Sequence, residues 1–147
     1  MQTMLLGEYE HTIDDKGRIT LPSRFREHFK SGIIVTRGMD KCLYAYTPAE
    51  WQKVVENQLG HLNQFSPDSR RLQRFFFSGA VETTPDKQGR VMLPPAPARR
   101  AALKREVVIA GVNDHLEIWD RSAWQALMKE IEEQAEDAAE RVAAQRD

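Results

Sequence analysis

The 147-residue chain has little of several features that mark common classes of protein. It contains a single cysteine, Cys42, which excludes an intramolecular disulfide and leaves no companion for a cysteine-based zinc site. No apolar run approaches membrane-spanning length, and neither common glycine-rich phosphate-binding pattern occurs. The four histidines show no metal-ligand spacing. We therefore expect no metal, no cofactor and no membrane partner.

Two further absences bear on location and catalysis. Residues 1–7 (MQTMLLG) lack the basic and apolar regions of a secretory signal, and a lone cysteine suits a reducing compartment, so we expect the cytoplasm. Asp14 and Asp15 could be imagined as a catalytic pair, but adjacent side chains at a strand end point to opposite faces. Cys42 lies in an apolar segment, which is more typical of a core position than of a nucleophile. The sequence thus predicts that the protein is not an enzyme.

The net charge of −1 conceals a strong separation of charge along the chain. Segments 16–30 and 87–105 together hold eleven of the 21 basic residues and one acid, Glu27, so they carry +10 and the rest of the chain −11. A protein with one surface that faces a polyanion needs such a distribution. The alternative is that these lysines and arginines only solvate short helices.

What the sequence does contain is an internal repeat. Residues 14–22 (DDKGRITLP) return 72 positions later as residues 86–94 (DKQGRVMLP). Two units of about 45 residues, each with an Asp-x-x-Gly-Arg turn, indicate a duplicated module. Units of this size bury too little surface to be stable alone. The two should therefore share one core, or take one from neighbouring subunits.

The repeated turn places a carboxylate four residues before an arginine, around a glycine. A carboxylate at a strand end can accept hydrogen bonds from the turn amides and can hold the guanidinium that begins the next strand. An arginine held in this way suits a phosphate or the guanine edge in a DNA major groove. The alternative is a plain turn, because Asp and Gly dominate turns in general. The repetition of the turn, with its following Leu-Pro, weakens that alternative.

Hydrophobic periodicity predicts an alternation of short strands and helices. The predicted strands are 5–13, 17–21, 33–36, 42–46, 80–84, 90–93, 106–110 and 115–119. The predicted helices are 23–30, one that opens at Pro48, 67–79, one near 97–104, and a last one from Arg121 or Ser122. Three prolines within 94–97 leave little room for a helical turn before Pro97. Residues 111–114 predict a turn between the last two strands.

The residues of the repeat resemble a known DNA-binding signature. Residues 14–26 follow the pattern Asp-x-Lys-Gly-Arg-Ile-x-Leu-Pro-x-Arg-Phe-Arg, which is similar to that of the MraZ family of bacterial transcription regulators. The tandem second copy, residues 70–74 (RRLQR) and residues 116–119 (LEIW) are similar to that family as well. The resemblance covers nearly the whole chain. It implies an α+β fold with a mainly β core, in which two AbrB-like swapped-hairpin halves form a pseudo-twofold β-barrel with peripheral helices.

The repeat and the resemblance together predict four parts. These are an AbrB-like DNA-binding module over 8–54, connecting helices over 55–79, a second AbrB-like module over 80–124, and a C-terminal helix over 125–147 that continues from it.

In function, the resemblance implies sequence-specific binding to double-stranded DNA. Members of the family bind short direct repeats upstream of the division and cell-wall gene cluster, which includes their own gene, and usually repress it. The resemblance also implies ring-shaped homo-oligomers in the cytoplasm and nucleoid. The candidate DNA-binding residues, from the signature and the adjacent basic positions, are Asp14, Lys16, Gly17, Arg18, Arg24, Arg26, Asp86, Lys87, Gly89 and Arg90.

The second copy departs from the signature. It has Gln88 where the first copy has Lys16, and its Leu-Pro is followed by residues 95–97 (PAP) instead of 23–25 (SRF). We therefore expect the first turn to be the principal base-reading element, and the second to contact phosphate or to be structural.

Other functions stay open at this point. One is an oligomeric interaction scaffold that does not bind DNA. A barrel enzyme is a further alternative, supported only by analogy of shape. An antitoxin-like AbrB protein is disfavoured by the internal duplication and by a C-terminus that reads as a docking helix.

Overall fold

The structure, a computed structural model, describes residues 4–146, so Asp147 at the end of the predicted C-terminal helix lies outside the described residues. Within them, eight strands and five α-helices form an α+β fold whose core is mainly antiparallel sheet. The strands are β1 (Leu5–Thr12), β2 (Arg18–Thr20), β3 (Ile33–Arg37), β4 (Leu43–Tyr46), β5 (Val81–Thr83), β6 (Arg90–Met92), β7 (Glu106–Asn113) and β8 (His115–Asp120). The helices are α1 (Ser23–Arg26), α2 (Pro48–Val54), α3 (Pro67–Gly79), α4 (Pro95–Arg100) and α5 (Arg121–Ala144).

The strands of the two halves are interleaved. Six form one sheet in the order β1-β7-β8-β4-β3-β5, while β2 and β6 pair as a separate two-stranded ribbon. The first strand of each half thus pairs with the hairpin of the other half: β1 with β7, and β5 with β3. Exchanging β1–β4 with β5–β8 leaves the whole pairing scheme unchanged. The pairings among residues 4–146 do not close the sheet into a barrel, so the barrel stays a prediction.

The strand registers define a local twofold axis. In the ribbon, Ile19 lies opposite Val91, its own equivalent in the second repeat. In the sheet, Tyr44 lies opposite Glu117, which is likewise its equivalent. A residue that pairs with its own equivalent lies beside the symmetry axis. The duplication seen in the sequence is therefore a twofold relation within one chain.

One hydrophobic core lies between the ribbon and the six-stranded sheet. Ile19 and Val91 of the ribbon belong to the same buried cluster as Val35 and Ile109 of the sheet. Phe25 of α1 is 1% exposed within it. Complete burial of such a side chain stabilises the fold by roughly 1.5–3 kcal/mol. Because both halves supply this cluster, the two modules share one core.

Helix α4 differs from its prediction. It spans Pro95–Arg100 with Pro94 as N-cap, whereas the sequence predicted no helical turn before Pro97. Prolines are tolerated there because the N–H groups of a first helical turn have no intrahelical partner. The helix also ends earlier than predicted, since Ala102 takes a φ of 54° and its N–H bonds back to the carbonyl of Arg99.

Strand β7 is longer than predicted. Residues 111–113, which the sequence assigned to a turn, continue the strand because they pair with Leu5, Leu6 and Gly7 of β1. Gly111 is required at this crossing, since an added Cβ would lie 2.6 Å from the backbone of Leu5 and Leu6. A long-range pairing here overrides a local turn signal. The other seven strands match their predictions to within one residue at each end.

The remaining helices surround the sheet. Helix α2 continues as a π-helical turn over Val55–Leu59, and α3 occupies the predicted range. Helix α5 begins at Arg121, where the Asp120 carboxylate accepts a hydrogen bond from the N–H of Ala123. Most of its side chains beyond the first two turns are exposed, among them Ile131 and Val142. None of the helices in the described part of the chain is long and apolar enough to cross a membrane.

Replacing Gly111 with alanine tests the crossing of β1 and β7. We expect a loss of about 1–3 kcal/mol in the free energy of unfolding, because the added methyl group collides with backbone that cannot rotate away. Urea unfolding followed by circular dichroism measures it. Val112→Thr in the same strand is the control, since Val112 is 40% exposed. An unchanged midpoint for Gly111→Ala would show that β1 can separate from β7 without cost.

Candidate nucleic-acid interface

The first repeated turn is a closed hydrogen-bonded unit built around Asp14. Its Oδ1 accepts hydrogen bonds from the N–H groups of Lys16 and Arg18, and its Oδ2 accepts one from Nε of Arg18, all at 2.9 Å. The N–H of Gly17 donates to the carbonyl of Asp14 at 3.0 Å. Gly17 has a φ of 79°, a conformation that side chains with a Cβ rarely adopt. The turn therefore holds Arg18 before any partner is present.

The second turn has the same geometry. Asp86 Oδ1 accepts from the N–H groups of Gln88 and Arg90 at 2.9 Å, and its Oδ2 accepts from Nε of Arg90 at 2.7 Å. Gly89 has a φ of 78°. The exchange of lysine for Gln88 leaves the turn intact because the backbone N–H, not the side chain, makes the bond. Both turns thus fulfil the predicted carboxylate–arginine arrangement.

The two carboxylates are held in their charged form. The hydrogen bond from the backbone N–H of Arg18 lowers the pKa of Asp14, and the Arg18 side chain and the N–H of Lys16 add to the effect. The N–H and side chain of Arg90, with the N–H of Gln88, lower the pKa of Asp86 in the same way. Hydrogen bonds to a carboxylate favour its ionised form.

Each arginine keeps donors available for a partner. The carboxylates of Asp14 and Asp86 engage only Nε, and among residues 4–146 the Nη groups of Arg18 and Arg90 have no ion-pair partner. The side chains of Arg18 and Arg90 are 23% and 36% exposed. An arginine fixed through Nε still presents two terminal amino groups to an acceptor.

Both arginines lie on the outer face of the ribbon. Ile19 and Val91 are 1% exposed and point into the core, so the alternate residues of β2 and β6 point outward. Arg18 is opposite Met92, which makes Arg90 its diagonal neighbour. Diagonal neighbours on one face of an antiparallel pair are about 7–8 Å apart. The ribbon therefore displays two clamped arginines, related by the local twofold, at close spacing.

The turns also brace each other. The N–H of Leu21, just after β2, donates to the carbonyl of Gly89 at 2.8 Å, and the N–H of Leu93, just after β6, donates to the carbonyl of Gly17 at 3.0 Å. These two bonds are equivalents under the local twofold. Each turn is thus fixed against the strand end of the other copy.

Arg26, which the sequence analysis grouped with the first turn, lies against the second turn in the structure. Nε of Arg26 in α1 donates to the carbonyl of Leu21 at 3.0 Å. The Arg26 side chain lies against Gly89, where an added Cβ would be 2.6 Å from its Nε. Sequence reasoning grouped Arg26 with the first turn, because its proximity to the second depends on the interleaving of the halves. Arg24 is exposed on the same helix.

The difference between the copies lies beside the turns. In α4, Ala96 and Ala98 occupy the positions equivalent to Arg24 and Arg26 of α1. Lys16 and Lys87 are exposed, one on each turn. The expected division into a base-reading and a supporting turn finds no basis in the turn geometry itself. It stays a prediction that depends on the flanking helices.

Some of the basic residues serve the fold. Arg100 donates to the carbonyls of Gly38 at 3.2 Å and Asp40 at 3.1 Å, and its guanidinium lies 4.8 Å from the centre of the Phe75 ring. Arg37 donates to the carbonyl of Phe75 at 2.9 Å. These arginines join α3 and α4 to the loop after β3. Arg100, one of the basic residues of segment 87–105, thus makes a contact within the fold.

The groups considered for catalysis are either buried or already engaged in hydrogen bonds. Cys42 is 1% exposed, and burial raises the pKa of its thiol, which disfavours the reactive thiolate. Asp14 has both carboxylate oxygens engaged by its own turn. Within the described residues no three His, Cys, Asp or Glu side chains are grouped so as to hold a metal ion.

Comparison with protein families agrees with the repeat. The family described as "MraZ protein, putative antitoxin-like" matches the chain twice, over residues 4–75 and 76–146. The chain belongs to the MraZ family. The two matched segments begin 72 residues apart, which is the offset of the repeated turns. MraZ proteins form a regulator-type family and not an enzymatic one.

The description of the MraZ family contains the term antitoxin-like, and an antitoxin-like AbrB protein is the alternative that the sequence of this chain disfavours. In this chain the C-terminal segment is the helix α5, in agreement with the predicted helix and in contrast to a disordered tail. The internal duplication is present in the family match itself.

The pKa values of the two turn carboxylates, Asp14 and Asp86, can be measured by titration. Because the folded-state pKa of Asp14 and Asp86 lies below the ordinary value, the order that the carboxylates give to the turns is complete above the ordinary carboxyl pKa. It should be lost as the pH falls through the depressed values. Carboxyl-carbon NMR should find both residues titrating below the ordinary range of an aspartate carboxyl, with the Nε signals of Arg18 and Arg90 shifting together with them. Ordinary titration of either aspartate would contradict the clamp.

Proposed function

We propose that this protein binds double-stranded DNA sequence-specifically and regulates transcription. Its target, following the family resemblance, is a set of promoter-proximal direct repeats upstream of the division and cell-wall gene cluster that includes its own gene, and it acts there as a repressor on the nucleoid. The observation that carries the proposal is the outer face of the β2–β6 ribbon, with Arg18 and Arg90 each fixed by an aspartate.

The shape of this face suits a major groove. The groove is about 12 Å wide and admits a two-stranded β-ribbon. The spacing of about 7–8 Å expected between diagonal neighbours corresponds to roughly two base-pair steps of 3.4 Å. Arg18 and Arg90 can therefore address bases within one groove from a single ribbon. A guanidinium donates well to the O6 and N7 acceptors of guanine.

The charges around the ribbon suit the DNA backbone. Lys16 and Lys87 are exposed on the turns, and Arg24 and Arg26 are exposed on α1. Such residues contact phosphate and fix the register of a protein on the duplex without reading sequence. The acidic residues of α5 lie on a helix that is not part of the ribbon, so they do not add negative charge to the ribbon itself.

We further propose that several copies act together in a ring. A single ribbon is small compared with the surface that specific DNA binding ordinarily buries. Adjacent ribbons on one assembly would engage several direct repeats at a high effective concentration. Exposed apolar residues away from the ribbon, Phe65 at 92%, Phe77 at 43% and Ile131 at 43%, support contacts between copies. Within each copy the two halves would complete the pseudo-twofold barrel.

An oligomeric scaffold without DNA binding is the second candidate. The feature that favours it is α5, whose outer turns leave Ile131 and Val142 exposed. A scaffold would assemble but would not retain nucleic acid at low salt, so the two functions separate in one experiment.

Binding of the full chain to its own upstream DNA across a salt series tests the proposed function. We expect the logarithm of affinity to fall steeply with salt, since each neutralised phosphate contributes about 0.9 to the slope. Arg18→Ala should reduce discrimination between cognate and scrambled DNA by about 1–3 kcal/mol, and Arg90→Ala should reduce it by no more than Arg18→Ala does. Arg18→Lys should recover salt-dependent affinity more than discrimination, because lysine lacks the fork held by Asp14.

The matched control is Arg71→Ala. Arg71 pairs with Asp68 on α3, so this variant removes the same charge away from the ribbon. It should leave discrimination unchanged. If Arg18→Ala and Arg90→Ala behave like Arg71→Ala while the oligomer stays intact, the turns are structural and the scaffold is the better account. A larger loss for Arg18→Ala than for Arg90→Ala would bear out the expected division between the copies.

The ring can be tested by the number of repeats on the DNA. We expect affinity to rise steeply from one repeat to two and three at their natural spacing, because later contacts form within a tethered complex. Adding half a helical turn between repeats should remove most of the gain, since neighbouring ribbons would then face opposite sides of the duplex. Equal affinity for one repeat and for three, measured by fluorescence anisotropy, would argue against cooperative engagement.

A further inference from the structure

An aromatic pocket of about 260 Å³ lies on the face of the six-stranded sheet opposite to the core. Leu43 and Ala45 of β4 point into the core, so Tyr44 and Tyr46 point to the other side. His115 of β8 borders the same pocket, and α2 supplies Trp51. The ribbon lies on the core side of the sheet. The pocket is therefore separate from the proposed DNA contacts and does not depend on them.

The walls of the pocket form a continuous run of rings. The centres of Tyr44 and His115 are 4.7 Å apart, those of Tyr46 and His115 are 5.5 Å apart, and those of Tyr46 and Trp51 are 5.5 Å apart. Phe76 of α3 also lines the pocket. Ring faces carry partial negative charge and attract cations.

Two carboxylates contact His115: that of Asp114, which lines the pocket, and that of Glu117, which does not. Nδ1 of His115 lies 2.7 Å from Oδ1 of Asp114, and Nε2 lies 3.0 Å from Oε2 of Glu117. Glu117 also accepts a hydrogen bond from Nε1 of Trp119 at 2.9 Å. Both ring nitrogens can donate only when the imidazole is protonated. Burial lowers the pKa of His115, but the bonds to Glu117 and Asp114 outweigh it and raise the value overall.

The balance of these groups favours a positive ligand. Among the described residues that line the pocket, the Asp114 carboxylate is balanced only when the imidazole of His115 is protonated, so the pocket carries one net negative charge when that imidazole is neutral. Neither lysine nor arginine is among the described residues that line the pocket. Burial raises the pKa of Tyr44 and Tyr46, so both stay neutral. From α2 and α3 the pocket receives only uncharged side chains.

We propose that this pocket binds an organic cation, an amine or guanidine on a short apolar stem. The rings of Tyr44, Tyr46 and Trp51 take the stem and the face of the cation, and the exposed carboxylate of Asp114 takes its charge. The volume falls just below the range of drug-sized pockets, which suits one long side chain or one small amine. The two sources, a free amine or the basic side chain of a protein partner, share this chemistry.

The proposal predicts exchange of the ligand against a proton. A bound cation beside His115 disfavours the imidazolium, so affinity should increase as the pH rises through the pKa of His115, and binding should lower that pKa. Asp114 and Glu117 on the hairpin of His115, with Tyr44 and Tyr46 on β4, are the titratable groups that face it. Burial raises the pKa of Glu117, but its hydrogen bonds with His115 and Trp119 outweigh burial and lower the value overall, so we assign the change to the histidine.

NMR titration of the full chain with n-butylguanidinium tests the pocket. We expect shifts at the indole N–H of Trp51 and the ring of His115, with no comparable shifts from n-butanol or butyrate. Asp114→Asn should weaken binding about tenfold through loss of the carboxylate charge. Asp40→Asn is the matched control, since Asp40 is an exposed carboxylate nearby that does not line the pocket. It should bind as the original protein does.

A second probe separates the two sources. N-acetyl-arginine-N-methylamide carries the same cation with a capped backbone. Equal or tighter binding of this probe indicates a partner's side chain, while binding of n-butylguanidinium alone indicates a free amine. Equal binding of n-butanol, absence of shifts at saturating n-butylguanidinium, or an affinity that does not respond to pH around the pKa of His115 would overturn the proposal.

Discussion

Neither half of this chain can complete its own sheet. The strand β1 pairs with β7 of the other half, β5 pairs with β3, and the ribbon takes one strand from each half. The shared core follows from this exchange, since the ribbon that covers it exists only when both halves are present. The placement of the two turns follows as well, because the glycine carbonyl of each turn accepts a hydrogen bond from the N–H just after the ribbon strand of the other copy. Strand exchange is the constraint on which the candidate interface depends.

The turns add local order to this global arrangement. An aspartate, a glycine with positive φ and an arginine produce the same hydrogen bonds at two places whose neighbouring residues differ. The surroundings then differentiate them: Arg26 lies against the second turn, while α4 carries Ala98 at its equivalent position. Identical turn geometry with different flanking charge gives the two arginines of one ribbon separate environments. Any difference in their contacts with DNA would arise from those flanks.

Structural features that depend on residues close together in the chain can be predicted from the sequence, whereas features that depend on pairing between distant residues cannot. The Asp14 and Asp86 turns and most strand limits follow from local patterns. The extension of β7 through Gly111 does not, because it requires β1 more than a hundred residues away in the chain. The early start of α4 is not predicted, because proline is disfavoured in helix interiors. Pro95 and Pro97 lie in the first turn of the helix, where proline is tolerated. The pocket was missed because Tyr44 and His115 meet only through the β4–β8 pairing, and a lone histidine in sequence gives no signal of its two carboxylate partners.

The local twofold axis through Ile19 and Val91 has a further consequence. Two halves that would otherwise be separate subunits are joined by peptide bonds, so dilution cannot separate the two arginines of the ribbon as it separates the subunits of a dimer. In a dimer of identical chains every substitution appears twice, once on each side of the axis. Here a substitution at residue 18 leaves residue 90 as it was. Under the proposed function, a substitution at one arginine of the ribbon would therefore change the bases contacted on that side while the other arginine kept its own contacts with the DNA.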